Sequence, residues 1–286
     1  MRLGAHMSIA GGVKRAILRG HSIGCETIQM FVTSPNRWKS KALTQADIDG
    51  FLAARTETGI WPIVAHDTYL INLGSPDEEL WTKSIDAFHD ELKRCEQLEL
   101  PYLVMHPGSH MGAGDEAGLR RVADALDILR ERTVGFHVKV LLETTAGQGT
   151  NLGHRFEHLA QIMDWVRDAS WLGVCLDTCH VFAAGYELRT REGYEETIQQ
   201  FDRVLGLHLL KCIHLNDSKG CLGCHLDRHE HIGKGELGLE PFRFLLNDPR
   251  FNHLPMILET PKGTDEQGRD WDELNAAVLR GLWAAR

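Results

Sequence analysis

Apolar residues along this chain gather in short runs, and most of the runs end in His, Asp or Glu. They read LGAHMS (3–8), TIQMFVT (27–33), PIVAHD (62–67), YLVMHPGSH (102–110), KVLLET (139–144), LGVCLDTCH (172–180), LLKCIHLND (209–217) and PMILET (255–260). Each is rich in Val, Ile, Leu or aromatic residues and predicts a buried strand. Near-continuous apolarity, rather than strict alternation, is what a parallel sheet covered by helices requires.

Helical periodicity fills the gaps between the runs. In 77–99, Trp81, Ile85, Phe88, Leu92 and Cys95 form one apolar stripe at spacings of four and three. Phe156, Leu159, Ile162, Met163 and Val166 repeat the pattern, and 115–132, 193–205 and 271–283 carry weaker versions. Thr44 ahead of QADIDGFLAA reads as a helix N-cap. Eight strands alternating with helices predict an α/β fold, a single (β/α)8 TIM barrel forming one domain over residues 1–286. An open doubly wound sheet is the competing architecture. No glycine-rich phosphate loop follows the first strand, which argues against it.

Length and composition suit this reading. The chain has 286 residues, 43% hydrophobic and 25% charged, as expected of a globular enzyme. No apolar stretch reaches membrane-span length and no signal-peptide pattern opens the chain, so a cytoplasmic protein without a membrane partner is expected. Seven scattered cysteines, an odd number, point to reduced thiols. The formal net charge of −9 speaks against a basic coat for nucleic acid. Bound cations would change that balance locally.

The strand ends supply the chemistry. In such barrels function sits at the C-terminal ends of the strands. Here His66, His106, Glu143, Asp177, His214 and Glu259 end successive strands, at intervals of 40, 37, 34, 37 and 45 residues. His180 lies three residues after Asp177, and LDRHEHIGKGELG offers Asp227 and His229 in alternate positions. One such residue alone is more often a hydrogen-bonding or acid–base group. Together, five imidazoles and four carboxylates converging on one mouth would be costly to bury unpaired, and cations remove that cost. At about three protein ligands per catalytic zinc, nine ligands serve about three ions when carboxylates bridge. Three Zn²⁺ against four carboxylates leave a surplus of about +2 to attract a phosphodiester.

Several segments resemble the endonuclease IV family of abasic-site DNA nucleases. These are HDTYLINLG (66–74), RCEQL (94–98), HPGSH (106–110), ETTAGQGTNLG (143–153), DTCHVFAAGYELRT (177–190), HLNDSK (214–219), DRHEHIGKG (227–235) and ILET (257–260), which together span the chain. The resemblance implies a trinuclear zinc enzyme, with no organic cofactor. It implies that His66, His106 and Glu143 hold one ion, and that Glu143 bridges to a second shared with Asp177, His214 and Glu259. His180, Asp227 and His229 would hold the third. The implied reaction is hydrolysis of the phosphodiester 5′ to an abasic site in duplex DNA, leaving a 3′-hydroxyl and a 5′-deoxyribose phosphate, with 3′-end trimming besides. Glu259 and Glu143 are the implied catalytic carboxylates.

The resemblance also makes Tyr69 and Leu70 the residues that enter the DNA after strand three. Family members commonly carry Arg two residues before the Trp of the loop after strand two. This chain reads SPNRWKS, which leaves Asn36 and Arg37 as the candidates there. The pair Cys221–Cys224 has zinc-knuckle spacing without a second pair, and His6 reads as a hydrogen-bonding neighbour of the ligands. A monomer is expected, because duplex DNA must reach the mouth. The alternative function is a metal-dependent sugar isomerase or epimerase, which needs fewer ligands. A non-enzymatic DNA-damage binder would need none of them.

Overall fold

The computed structural model describes residues 2–38 and 40–284. The eight apolar runs form strands β1 (Arg2–Met7), β2 (Thr27–Phe31), β3 (Ile63–His66), β4 (Tyr102–Met105), β5 (Lys139–Glu143), β6 (Leu172–Asp177), β7 (Leu210–His214) and β10 (Pro255–Leu258). All pair in parallel with their neighbours, and β1 pairs with both β2 and β10, so the sheet closes into a barrel. Closure leaves no sheet edge exposed. At the β1–β2 seam, a Cβ on Gly4 would collide with the Thr27 carbonyl oxygen, so only glycine fits.

Helices α1 (Val13–Ser22), α2 (Gln45–Thr58), α3 (Glu78–Gln97), α4 (Asp115–Arg132), α5 (Phe156–Trp165), α6 (Thr178–Ala184), α7 (Arg191–Val204), α8 (Glu240–Leu246) and α9 (Trp271–Leu282) lie in the connections. The expected stripe of α3 is its buried face, with Ile85, Phe88, Leu92 and Cys95 all turned inward. Thr44 caps α2 through a reciprocal box. Its hydroxyl accepts from Asp47 N–H at 3.2 Å, and its own N–H donates to Asp47 Oδ2 at 2.9 Å. Among the described residues no helix is long and apolar enough to cross a membrane.

Two features depart from the sequence expectation. The run 172–180 does not stay extended, because Asp177 accepts the His180 N–H at 2.8 Å and starts α6 there. His180 therefore stands on the first turn of a helix. The segment after β7 is not a plain loop either. A two-residue antiparallel ladder, β8 (Asp217–Ser218) with β9 (His229–Glu230), folds it into a hairpin. The buried Asp217 carboxylate accepts the N–H groups of Gly233, Gly235 and Leu237 at 2.9–3.0 Å, which fixes the chain leaving that hairpin.

Candidate metal centre

Strand alternation builds the site. Val64, Val104, Leu141, Cys175, Cys212 and Ile257 fill the barrel interior and are fully buried. Side chains two residues apart on a strand share a face, so the next inward position lies one layer nearer the mouth. Those positions are His66, His106, Glu143, Asp177, His214 and Glu259. His180 joins them from α6, and the β8–β9 hairpin carries Asp227 and His229 back over the same mouth.

The nine residues lie in three groups whose donor atoms are all within 4.8 Å of one another. His66, His106 and Glu143 form one, His180, Asp227 and His229 another, and Glu143, Asp177, His214 and Glu259 the third. Glu143 is common to two groups. Its Oε2 lies 3.1 Å from His66 Nε2 and 3.4 Å from His106 Nε2, while its Oε1 lies 3.1 Å from His214 Nδ1.

The orientation of the imidazoles is the more telling observation. His180 Nδ1 lies 2.8 Å from the Thr144 carbonyl oxygen and His229 Nδ1 lies 3.2 Å from that of Glu259. His66 Nδ1 lies 2.8 Å from the Asp67 carbonyl oxygen, and His214 Nε2 lies 2.8 Å from the Gln29 side-chain oxygen. Each of these outer nitrogens must donate a proton. In the neutral imidazole the inner nitrogen is then a bare lone pair. His180 and His229 aim theirs at each other, 3.3 Å apart, with Asp227 Oδ1 at 3.2 and 3.6 Å. His214 aims its lone pair at Glu259, Glu143 and Asp177, at 3.0, 3.1 and 3.7 Å. Lone pairs and carboxylates converging on common points fit a cation at each, and carbonyl-anchored imidazoles are the usual supporting arrangement.

The electrostatics agree. Burial alone would raise the Glu143 carboxyl, but His214 and His106 beside it hold it well below the usual carboxylate range. Burial likewise opposes ionisation of Glu259, and His214 pulls it well down. Asp227 is lowered by His180 and His229 in spite of its burial. Burial opposes protonation of the imidazoles, but His66 and His180 rise well above the ordinary imidazole value because of neighbouring carboxylates, and His214 does so because of Cys175 together with Glu259 and Glu143.

A cleft of about 540 Å³ opens over the groups, lined by His6, Phe31, Tyr69, Pro261 and Lys262 along with six of the nine residues, His66, His106, His180, Asp227, His229 and Glu259. A larger cavity of about 760 Å³ lies apart, between Trp38 and α3. Glu78, Glu79, Asp86 and Asp90 line it, so it is unsuited to a polyanion. Tyr69 stands on the rim of the mouth, 75% exposed, with its ring edge-on to Phe31 at 5.4 Å. Leu70 next to it is half-buried. Asn36 and Arg37 are both exposed, while Trp38 is half-buried under the Lys83 ammonium. Cys221 and Cys224 join no group of three potential metal ligands among the described residues.

Several working residues escaped the sequence reading. Gln29, buried in β2, gives its side-chain oxygen to His214 and its N–H groups to Glu259 Oε1 at 2.5 Å and His6 Nδ1 at 3.0 Å. Asn216 donates to Asp177 Oδ2 at 2.6 Å and accepts the Glu259 N–H at 2.8 Å. Thr144 holds both the Asp177 N–H and His180. A polar residue in the middle of an apolar strand, as in TIQMF, was the available signal for Gln29. His6 contacts Gln29 and Glu259, at the edge of this cluster.

The chain matches the xylose isomerase-like TIM barrel family over residues 18–281. The protein of Chloroflexus aurantiacus named probable endonuclease 4 is 53% identical over 281 residues, covering 98% of each chain. That of Geobacter sulfurreducens is 50% identical over 280 residues, covering 98% of this chain and 94% of its own. The crystal structure of endonuclease IV from Thermus thermophilus superposes with a TM-score of 0.85 at 37% identity, covering 99% of this chain and 98% of that one. A D-tagatose 3-epimerase-like protein superposes with a TM-score of 0.74 at 17% identity, a likeness of fold alone. With a closed parallel barrel, this site and relatives of that similarity along nearly its whole length, the chain belongs to the endonuclease IV family of xylose isomerase-like TIM barrels.

Proposed function

We propose that this protein is a DNA-repair hydrolase that cuts the backbone of duplex DNA on the 5′ side of abasic sites and trims blocked 3′ ends. The carrying observation is the convergence of imidazole lone pairs and carboxylates in three groups, two of which share Glu143. We assign three zinc ions to these groups, held by His66, His106 and Glu143, by Glu143, Asp177, His214 and Glu259, and by His180, Asp227 and His229. When bound, the ions supply Lewis acidity, polarising the phosphoryl oxygens and acidifying water.

The side chains set up the rest. Glu259 lines the cleft and is kept ionised, so it can accept a proton from an attacking water. Gln29 donates to Glu259 and accepts from His214, fixing the distance between them. Glu143 has no exposure, so its charge is spent on holding the two groups together. Tyr69 lining the cleft, Leu70 next to it, and the exposed Asn36 and Arg37 that follow the cleft residue Pro35 are assigned to contact the duplex. Inserting rim side chains and extruding a nucleotide cost least where a base is already missing, which gives selectivity. A cytoplasmic monomer is part of the same proposal, because the duplex must reach an open mouth.

The test is a duplex carrying one synthetic abasic site beside the same duplex with no lesion. Cleavage is expected directly 5′ to the lesion, leaving a 3′-hydroxyl that a polymerase extends. Equal cutting of both duplexes, or isomerisation of sugars with no cutting, would overturn the reading.

A further inference from the structure

The hairpin that carries Asp227 and His229 holds a second reactive feature at its tip. Five cysteines, Cys25, Cys95, Cys175, Cys179 and Cys212, are buried, whereas Cys221 is exposed and Cys224 half-buried, and all are free thiols. Cys224 N–H donates to the Cys221 carbonyl at 3.2 Å, closing a four-residue turn with Gly223 at φ +71°. Such a turn keeps its end Cα atoms within about 7 Å. A disulfide spans about 4.4–6.8 Å between Cα atoms. The Cys224 sulfur folds back over Gly220, where an added Cβ would collide with it.

The turn is also anchored. Gly223 N–H donates to the Phe182 carbonyl at 3.1 Å and His225 N–H to that of Ala183 at 2.9 Å. His225 adopts a left-handed φ of 54° and places its Nδ1 2.8 Å from the Ala146 carbonyl. Two thiols are thus held at the ends of one fixed turn, Cys221 open to solvent and Cys224 partly so, and neither belongs to the metal groups.

We propose that Cys221 and Cys224 form a peroxide-reactive dithiol that closes reversibly to a disulfide and staples this hairpin. The Cys221 thiolate attacks one oxygen of a hydroperoxide. The O–O bond breaks, the departing oxygen takes a proton, and Cys221 becomes a sulfenic acid. The Cys224 thiolate then attacks that sulfur, the S–S bond forms and the S–O bond breaks, releasing water. Two thiols are oxidised and one hydroperoxide is reduced.

Trypsin cuts after Lys219 and Arg228, so both cysteines fall in the single peptide 220–228. The metal-loaded full-length protein is treated with hydrogen peroxide, blocked with iodoacetamide, denatured and digested. The peptide is expected to lose about 2 Da, escape alkylation and revert with a phosphine reductant. The five buried cysteines are expected to stay reduced, and amide exchange within 219–230 is expected to slow several-fold in the oxidised form. Cys224→Ser is expected to abolish the loss of mass and to leave oxygen added at Cys221. The proposal is overturned if the wild-type peptide gains oxygen instead of losing hydrogen, or stays alkylatable while buried cysteines oxidise. Unchanged amide exchange in the disulfide form overturns the staple.

Discussion

His180 and His229 face each other through their Nε2 atoms at 3.3 Å, while each turns its Nδ1 to a backbone carbonyl. Two neutral imidazoles so held present lone pair to lone pair, which is repulsive unless something positive lies between them. His229→Asn removes one of the pair and keeps the hairpin. One ion per chain is expected to be lost while the other two remain, with incision falling at least about 100-fold. Metal analysis beside the incision assay checks this, and an undiminished metal content would show that His229 is not a ligand.

Gln29 reaches His214 and Glu259 from a strand distant in sequence from both. Replacing it by Leu keeps a side chain of similar size and removes these two hydrogen bonds together with the one to His6. Turnover is expected to drop about 10- to 100-fold, the range for partners that orient ligands. Glu259→Gln sets the upper scale, with cutting nearly abolished and binding of the abasic duplex retained. A Gln29→Leu protein with normal turnover and normal metal affinity would remove Gln29 from the machinery.

Most of the site was legible because strand ends announce themselves. A barrel strand that ends in His, Asp or Glu places that group at the mouth, whatever the distance along the chain. His180 was legible as a candidate but not as a helical residue, since DTCH continues an apolar run and only the Asp177 cap ends the strand. Gln29, Asn216 and Thr144 were hidden for a different reason. Their roles arise from pairing between strands, and neither spacing nor composition records which strands are neighbours. Short elements were hidden too. The β8–β9 ladder has two residues on each side, and α8 has seven residues, too few to display a period.

Tyr69 is three-quarters exposed on the rim of the cleft and touches Phe31 but belongs to none of the ligand groups. Tyr69→Ala is expected to weaken binding of the abasic duplex about 10-fold, a loss of roughly 1–2 kcal/mol in the range for a stacking contact. Metal content and thermal stability are expected to stay the same. Equal affinity for the variant would take Tyr69 out of recognition.

His158 predicts a pH dependence of stability that is separate from catalysis. It is buried, with Nδ1 receiving the Gly153 N–H at 3.3 Å. Burial, with His154 beside it, lowers its pKa to about 4. Between about pH 4 and the ordinary imidazole value the unfolded chain binds more protons here than the folded one. Stability should therefore fall as pH drops through that window and level off below about pH 4. Denaturant titrations at about pH 7, 5.5 and 4 on the wild type and His158→Gln check it. A wild-type slope no steeper than the variant's would contradict the assignment.

On the proposed assignment, nine side chains hold three zinc ions that cutting requires. The most direct measurement is the zinc content of the purified protein before and after prolonged chelation, with abasic-site incision followed in the same samples. About three zinc ions per chain are expected, cutting without added Mg²⁺, and loss of cutting on stripping that returns with Zn²⁺. One ion or none, or full activity in the stripped protein, would contradict it.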